Sequence, residues 1–327
     1  MNAAATGLVV GLDEPAPAGV VGGKLSGLAG LRRAGFAVPA GYAVTVPAYR
    51  RHLAETGLDE LAGRVGAALR ADDEAALEAA AGRLREAFAA TPVAGPVRDA
   101  VAAAYRALCE ERGRDGLPVA VRSSAVGEDG GAASFAGVFD TVLGVHGADA
   151  VVEAVRGCWA SLYAPRALAY RRRRAAGAVD MPMAVGVLEL VPARCSGIAF
   201  SAHPVTARRD RVLIEANWGW GEAVVQGLVT PDHVEVDTVG GRVERHDVAH
   251  KTVMSGPDPA GGPIRTVPVP EPLRNRPVLN EAQIMAVAAA VRRVERHEGR
   301  PVDVEWVLDD ARPAGRLWIV QARPITA

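Results

Sequence analysis

Cysteine is nearly absent. The chain has three, Cys109, Cys158 and Cys195, odd in number and far apart, with no CxxC spacing. That excludes a disulfide framework and a cysteine-based zinc site, and fits three reduced structural thiols. An excess of charge is also missing: 37 Lys and Arg against 38 Asp and Glu leave a formal net charge of -1. Without surplus positive charge there is nothing to drive counterion release, so nucleic acid and anionic membrane are not expected partners. No apolar run reaches the roughly 18 residues of a membrane span. The start, MNAAATGLVVGLDEPAP, has neither the basic region nor the apolar stretch of a signal peptide. The expectation is a cytoplasmic protein. No internal repeat is evident.

What is present suits a globular protein of one large domain or two modest lobes: 327 residues, 49% hydrophobic and 23% charged. Residues 22–34 predict a helix that opens in a glycine turn and stops at Gly35. Residues 38–45 predict a short strand. Residues 58–112 carry helical spacing interrupted by Pro92 and Pro96, which predicts about three helices. An apolar strand, 118–121, leads into SSAVGEDGGAASFAG, too rich in Ser, Gly and Ala for a regular element. Residues 150–174 read as one long helix, and 175–182 as a lobe boundary. Beyond it come strands at 183–191, 197–202, 211–216, 233–237 and 242–248, a surface connection at 256–272, a helix at 280–297 and a closing hairpin.

The hairpin holds the densest chemistry. Side chains alternate faces along a strand, so in VDVEWVL Asp303 and Glu305 share a face, and in RLWIVQARP Gln321 and Arg323 do the same. Antiparallel pairing of Asp303 with Arg323 sets Glu305 opposite Gln321. Two oxygen-donor carboxylates at this spacing suit Mg²⁺. The same pattern also serves a solvated polar face with a cross-strand ion pair. Gly22-Gly23-Lys24 stands at a helix start, where free N–H groups and a lysine attract phosphate; an ordinary glycine turn followed by a surface lysine reads the same way. Arg122 ends the 118–121 strand and can reach a phosphate with its fork of donors, or be satisfied beside a disordered loop. Strand, glycine turn and helix follow one another from Glu215 through Gly219-Trp220-Gly221-Glu222, a phosphate-site geometry that is also a common connection. His246 and His250 have an H-x-x-x-H spacing without the glutamate of a zinc helix, and chance explains it; His203 is the histidine nearest a candidate site.

Five blocks in order resemble the nucleotide-binding domain of the phosphoenolpyruvate synthase, pyruvate phosphate dikinase and rifampin phosphotransferase family. They are GGKLSGLAGLRRAGFAVPAGYAVT, VAVRSSAVGEDGGAASFAGVFDTVLGV, CWASLYAPRALAYR, SGIAFSAHPVT with IEANWGWGEAVVQGLVTPD, and VDVEW with IVQARPIT. The resemblance implies an α/β (α+β) ATP-grasp fold of two lobes with ATP between them. The lobes would be 1–180, with a helical insert at about 48–115 and a phosphate lid loop at 122–141, and 181–327, with a metal-binding hairpin at 302–324. It implies that Lys24 and Arg122 hold ATP phosphates and that Gly137 and Thr141 lie on the lid. Leu188 and Glu189 would lie on the adenine side, Asp303 and Glu305 would bind Mg²⁺, and Gln321 and Arg323 would contact the transferred phosphates. Arg122, Gln321 and Arg323 would be the catalytic set.

The sequence departs from the family pattern at Leu188, where a glutamine is usual, and at Ser201 and His203, where Thr and Asp are usual. No histidine has the Gly/Thr/Ser-rich context of the family's phosphate-carrying histidine. The resemblance therefore implies a dikinase-type ATP-binding subunit that passes the β-phosphoryl group of Mg-ATP to a histidine on a separate partner protein or domain, leaving AMP and phosphate. A stand-alone ATP-grasp small-molecule kinase or ligase, and a non-catalytic nucleotide-sensing module, are the alternatives.

Overall fold

A computed structural model describes residues 7–126, 141–173, 181–204, 206–258, 262–310 and 315–325. These group into two units. One is built from residues up to 26, 40–126 and 141–190, the other from 27–39 and 191 onward.

The first unit contains, in chain order, β1 (Val9–Gly11), α1 (Ala18–Arg33, whose later part groups with the second unit), β2 (Gly41–Val44), α2 (Val46–Thr56), α3 (Leu58–Ala71), α4 (Glu74–Ala90), α5 (Gly95–Glu111), β3 (Val119–Ala125), β4 (Thr141–Val145), α6 (Ala148–Ser161), α7 (Pro165–Arg173) and β5 (Met183–Glu189). Its antiparallel sheet runs β1-β2-β5-β3-β4. The valines decide which side is core. Val44, Val119, Val121, Val185 and Val187 alternate with smaller or polar residues and are fully buried with Trp159 and Val101. Trp159 donates its indole N–H to the Met183 carbonyl, and Tyr42 its hydroxyl to that of Val101. The other side of the sheet carries Ala43, Ala120, Arg122, Ser124, Gly186 and Leu188, which are opposed in the ladders.

Three helices fill 58–111, as the spacing predicts. Asp73 caps α4 by accepting from the Ala76 N–H, and Pro96 sits in the first turn of α5, where a missing N–H costs nothing. A fourth helix, α2, precedes them, capped by Thr45. Two expectations need correction. The 150–174 stretch is two helices, because the chain turns at residues 162–164 and Pro165 begins the next. The 118–121 strand continues to Ala125, so Arg122 lies inside β3 and does not open a loop.

The second unit contains β6 (Cys195–Phe200), β7 (Arg211–Trp218), α8 (Glu222–Val225), β8 (Asp232–Asp237), β9 (Arg242–Asp247), β10 (Val253–Gly256), β11 (Arg265–Pro268), α9 (Glu281–Glu298), β12 (Val302–Leu308) and β13 (Leu317–Pro324). Six of these strands form an antiparallel sheet, β13-β12-β6-β7-β8-β9. Val304, Ala199, Ile214 and Val234 form one row across it and are essentially inaccessible. α9 packs against these strands, and its Ile284, Val287, Val291 and Val294 are buried. Asn280 and Gln283 close its start with a capping box. The 256–272 segment is more than the expected surface connection, since β10 and β11 pair from Val253 with Pro268 to Gly256 with Arg265. Among the described residues no helix is long and apolar enough to cross a membrane.

Lys251 and Asp232 form an ion pair at 2.5 Å, 0% and 1% exposed. Asp232 also accepts the backbone N–H groups of Ala249 and Val278, joining three segments at one carboxylate. Lys251→Met strands that carboxylate without its counter-charge. We expect a loss of about 3–5 kcal/mol, measured by urea unfolding of variant and wild type.

Candidate active site

The closing ribbon adopts the predicted register: Asp303 opposite Arg323 and Glu305 opposite Gln321. Beyond Glu305 the register slips by one residue, so that Trp306 pairs with Ile319 and Val320 forms a bulge. The bulge sits beside the polar pairs and accentuates the local twist. Because paired residues share a face, two rows cross the sheet. One runs Arg323, Asp303, Phe200, Leu213, Glu235; the other runs Gln321, Glu305, Ile198, Glu215, His233. The valine row lies on the reverse side, under α9.

Burial separates the two readings of this face. Asp303 is 7% exposed and Gln321 3%, too little for a solvated surface. Arg323 Nε donates to both carboxylate oxygens of Asp303, at 2.9 and 2.7 Å. The Glu305 side chain, half-buried beside them, makes no hydrogen bond or ion pair with any described residue. A half-buried carboxylate on a face of oxygen donors, next to an arginine-held partner, is chemistry that fits a hard divalent cation. No cluster of three His, Cys, Asp or Glu side chains able to hold a metal occurs among the described residues, so remaining ligands would come from phosphate and water. The far end of the ribbon is fixed separately: Asp309 accepts from the Arg316 backbone N–H and the Trp318 indole, each at 2.7 Å.

In the first unit, Arg122, Ser124, Gly186 and Leu188 share a sheet face, and Thr141 lies opposite Arg122 on β4. The restart of α1 after its interruption at Gly22 sits on that face. Gly22 interrupts α1 with φ 76° and ψ 162°, a conformation essentially restricted to glycine, and the helix restarts just before Lys24. A side chain at Gly22 would collide with the carbonyl and hydroxyl oxygens of Ser124. Ser124 Oγ accepts the Leu25 N–H at 3.2 Å. Lys24 is thereby carried on a turn seated at the strand that bears Arg122.

The remaining candidates are placed as follows. Thr141 is exposed and Leu188 is buried. Glu189, at the end of β5, is held by Arg112 Nε at 2.9 Å, and its other oxygen accepts from Arg112 at 3.2 Å. Gly137 lies outside the described residues, as does most of the expected lid. His246 lies on β9 and His250 beyond it, where it contacts Asn275 Oδ1; His203 accepts from the Thr206 N–H. Sequence reasoning missed Ser124, whose partner is 99 positions away, and did not single out Glu222 within its glycine-framed turn. Burial pushes the Glu222 carboxyl up to about 7.

Residues 18–327 match the family described as pyruvate phosphate dikinase, AMP/ATP-binding domain. A probable phosphoenolpyruvate synthase of Methanothermobacter thermautotrophicus is 39% identical over 310 residues, 94% of this chain and 44% of the relative. One of Methanocaldococcus jannaschii is 36% identical, covering 94% of this chain and 25% of the relative. A rifampicin phosphotransferase of Streptomyces is 41% identical over 323 residues, 98% of this chain and 36% of the relative. The chain thus spans less than half the length of these curated relatives.

Glu222 gives a pH prediction. Its folded pKa of about 7 lies above its ordinary 4.5, so between those values the folded state holds a proton that the unfolded chain releases. Stability therefore falls as pH rises through this window and stays lowered above it. Glu222→Gln should melt at a higher temperature than wild type at pH 8 and at nearly the same temperature at pH 4.5, by differential scanning calorimetry.

Proposed function

From the premise that the chain belongs to the pyruvate phosphate dikinase AMP/ATP-binding family, with its ATP-grasp fold, we propose that it is the ATP-binding part of a dikinase-type phosphotransferase. The observation that carries this reading is the ribbon face: Asp303 clasped by Arg323, Gln321 buried opposite Glu305, and the Glu305 carboxylate open. We assign ATP binding to these four residues and, separately, to Lys24 and Arg122. Relatives named phosphoenolpyruvate synthase and rifampicin phosphotransferase support an enzyme that moves phosphoryl groups from ATP.

Asp303 and Glu305 would hold Mg²⁺, which when bound supplies charge neutralisation on phosphate oxygens. Lys24 and Arg122 bind the triphosphate, Lys24 as a point charge at a helix start and Arg122 as a fork of donors. Gln321 and Arg323 hold the transferred group in line, and Thr141, opposite Arg122 on β4, lies beside the phosphates. Leu188 and Glu189 line the adenine side, with an apolar side chain at 188. The protein's contribution is positioning and electrostatics. A histidine nitrogen on a separate protein or domain accepts the β-phosphoryl group. With one water consumed, the products are phosphohistidine, AMP and phosphate, and a small molecule is phosphorylated afterwards. The greater length of the relatives is consistent with such further domains.

The Glu305 side chain makes no hydrogen bond or ion pair with a described residue, so its replacement separates chemistry from folding. Glu305→Gln should keep the wild-type melting temperature and lose AMP formation from Mg-ATP in the presence of the histidine-bearing partner. Arg323→Ala should lower the rate by about 10³-fold, as loss of a phosphate-clamping arginine does. Near-wild-type AMP release by either variant would contradict the assignment.

A further inference from the structure

The hydroxyl of Ser124 has no place in the roles assigned above, yet it ties the turn that carries Lys24 to the strand that carries Arg122. Ser124 is wholly buried, two residues beyond Arg122 on the same face of β3. Its Oγ accepts the Leu25 N–H, one of the N–H groups that the first turn of a helix cannot satisfy internally. Its oxygens occupy the space a side chain at Gly22 would need, so the glycine turn and the serine interlock. A third surface completes the fit. A side chain at Gly186, opposite Arg122 on β5, would come within 2.6 Å of Leu25 Cδ2 and 3.4 Å of Arg122 Cγ. Leu25 and the stem of Arg122 therefore share the space above one glycine. The residue adjacent to Lys24 is bonded to Ser124 and packed beside Arg122.

We propose that Ser124 is a positioning residue that fixes the Lys24 turn against the strand bearing Arg122, and so sets the spacing of two cations for a triphosphate. This rests on the phosphotransferase reading. Ser124 touches no phosphate in this account; it acts through the Leu25 N–H and the Gly22 turn. Its loss should affect a nucleotide in proportion to its need for both cations, which distinguishes it from a residue that only stabilises the fold. ATP needs both and AMP, lacking the β- and γ-phosphates, does not.

The test is calorimetric titration of the whole chain with Mg-ATP and with AMP, for wild type, Ser124→Ala and Ser124→Thr, with melting temperatures recorded alongside. Ser124→Ala should weaken ATP binding about tenfold, the size expected for orphaning a buried N–H. Its AMP binding should be unchanged, and Ser124→Thr, which keeps the acceptor, should restore the wild-type ATP-to-AMP ratio. Equal loss for both nucleotides, unchanged ATP binding, or failure of Ser124→Ala to fold would make Ser124 merely structural and overturn the proposal alone. A wild-type chain that binds no ATP would overturn the phosphotransferase reading and this proposal with it.

Discussion

Asp303 and Arg323 meet across a two-stranded ribbon at hydrogen-bonding distance, and the polar face of the second unit depends on that pairing. A slip of one residue would send Asp303, Glu305, Gln321 and Arg323 to the side packed under α9, because side chains alternate with a period of two. Three features hold the register. The ion pair fixes one end, and Asp309, receiving both Arg316 and Trp318, fixes the other. The Val304 row, buried beneath α9, makes the slipped register costly by exposing apolar surface and burying charge. The bulge at Val320 absorbs the one-residue mismatch between the polar pairs and the Trp306 end.

The first unit reaches a comparable arrangement by different means. The turn that carries Lys24 is seated on the strand of Arg122 by close approach of backbone, with glycine at the points where a side chain would intrude. Gly22 lets a helix restart against a strand, and Gly186 leaves room for Leu25 and Arg122 above it. The opposite face of that sheet, rich in valine, supplies the hydrophobic anchoring that makes the placement rigid. In the second unit the apolar side of the sheet is what permits a concentration of charge on the other.

Legibility in the sequence followed the range of the interactions. The ribbon was readable, including which residues face one another, since strand alternation and a short connection determine it. The helices between residues 58 and 111 and the capped α9 were readable for the same reason, from local spacing and capping residues. What escaped was set by partners distant in the chain. The bond from Leu25 to Ser124 spans 99 positions, and β10 pairs with β11 in a segment whose Pro and Gly content reads as loop. Arg122 was placed at a strand end because the Ser-rich continuation has weak strand propensity, yet pairing with β5 carries the strand to Ala125. Nothing local announced that Lys251 would be buried on Asp232.

The chain has only two lysines, Lys24 and Lys251, and Lys251 is wholly buried. This permits a direct test of the proposal that Lys24 and Glu305 are both needed to hold Mg-ATP. The chain is treated with pyridoxal 5′-phosphate, reduced with borohydride and mapped by peptide mass spectrometry, with and without Mg-ATP. The account predicts that Lys24 is labelled, that Mg-ATP protects it, and that Glu305→Gln or removal of Mg²⁺ abolishes the protection. Labelling of Lys24 that persists under saturating Mg-ATP, or protection indifferent to both Glu305 and the metal, would contradict it.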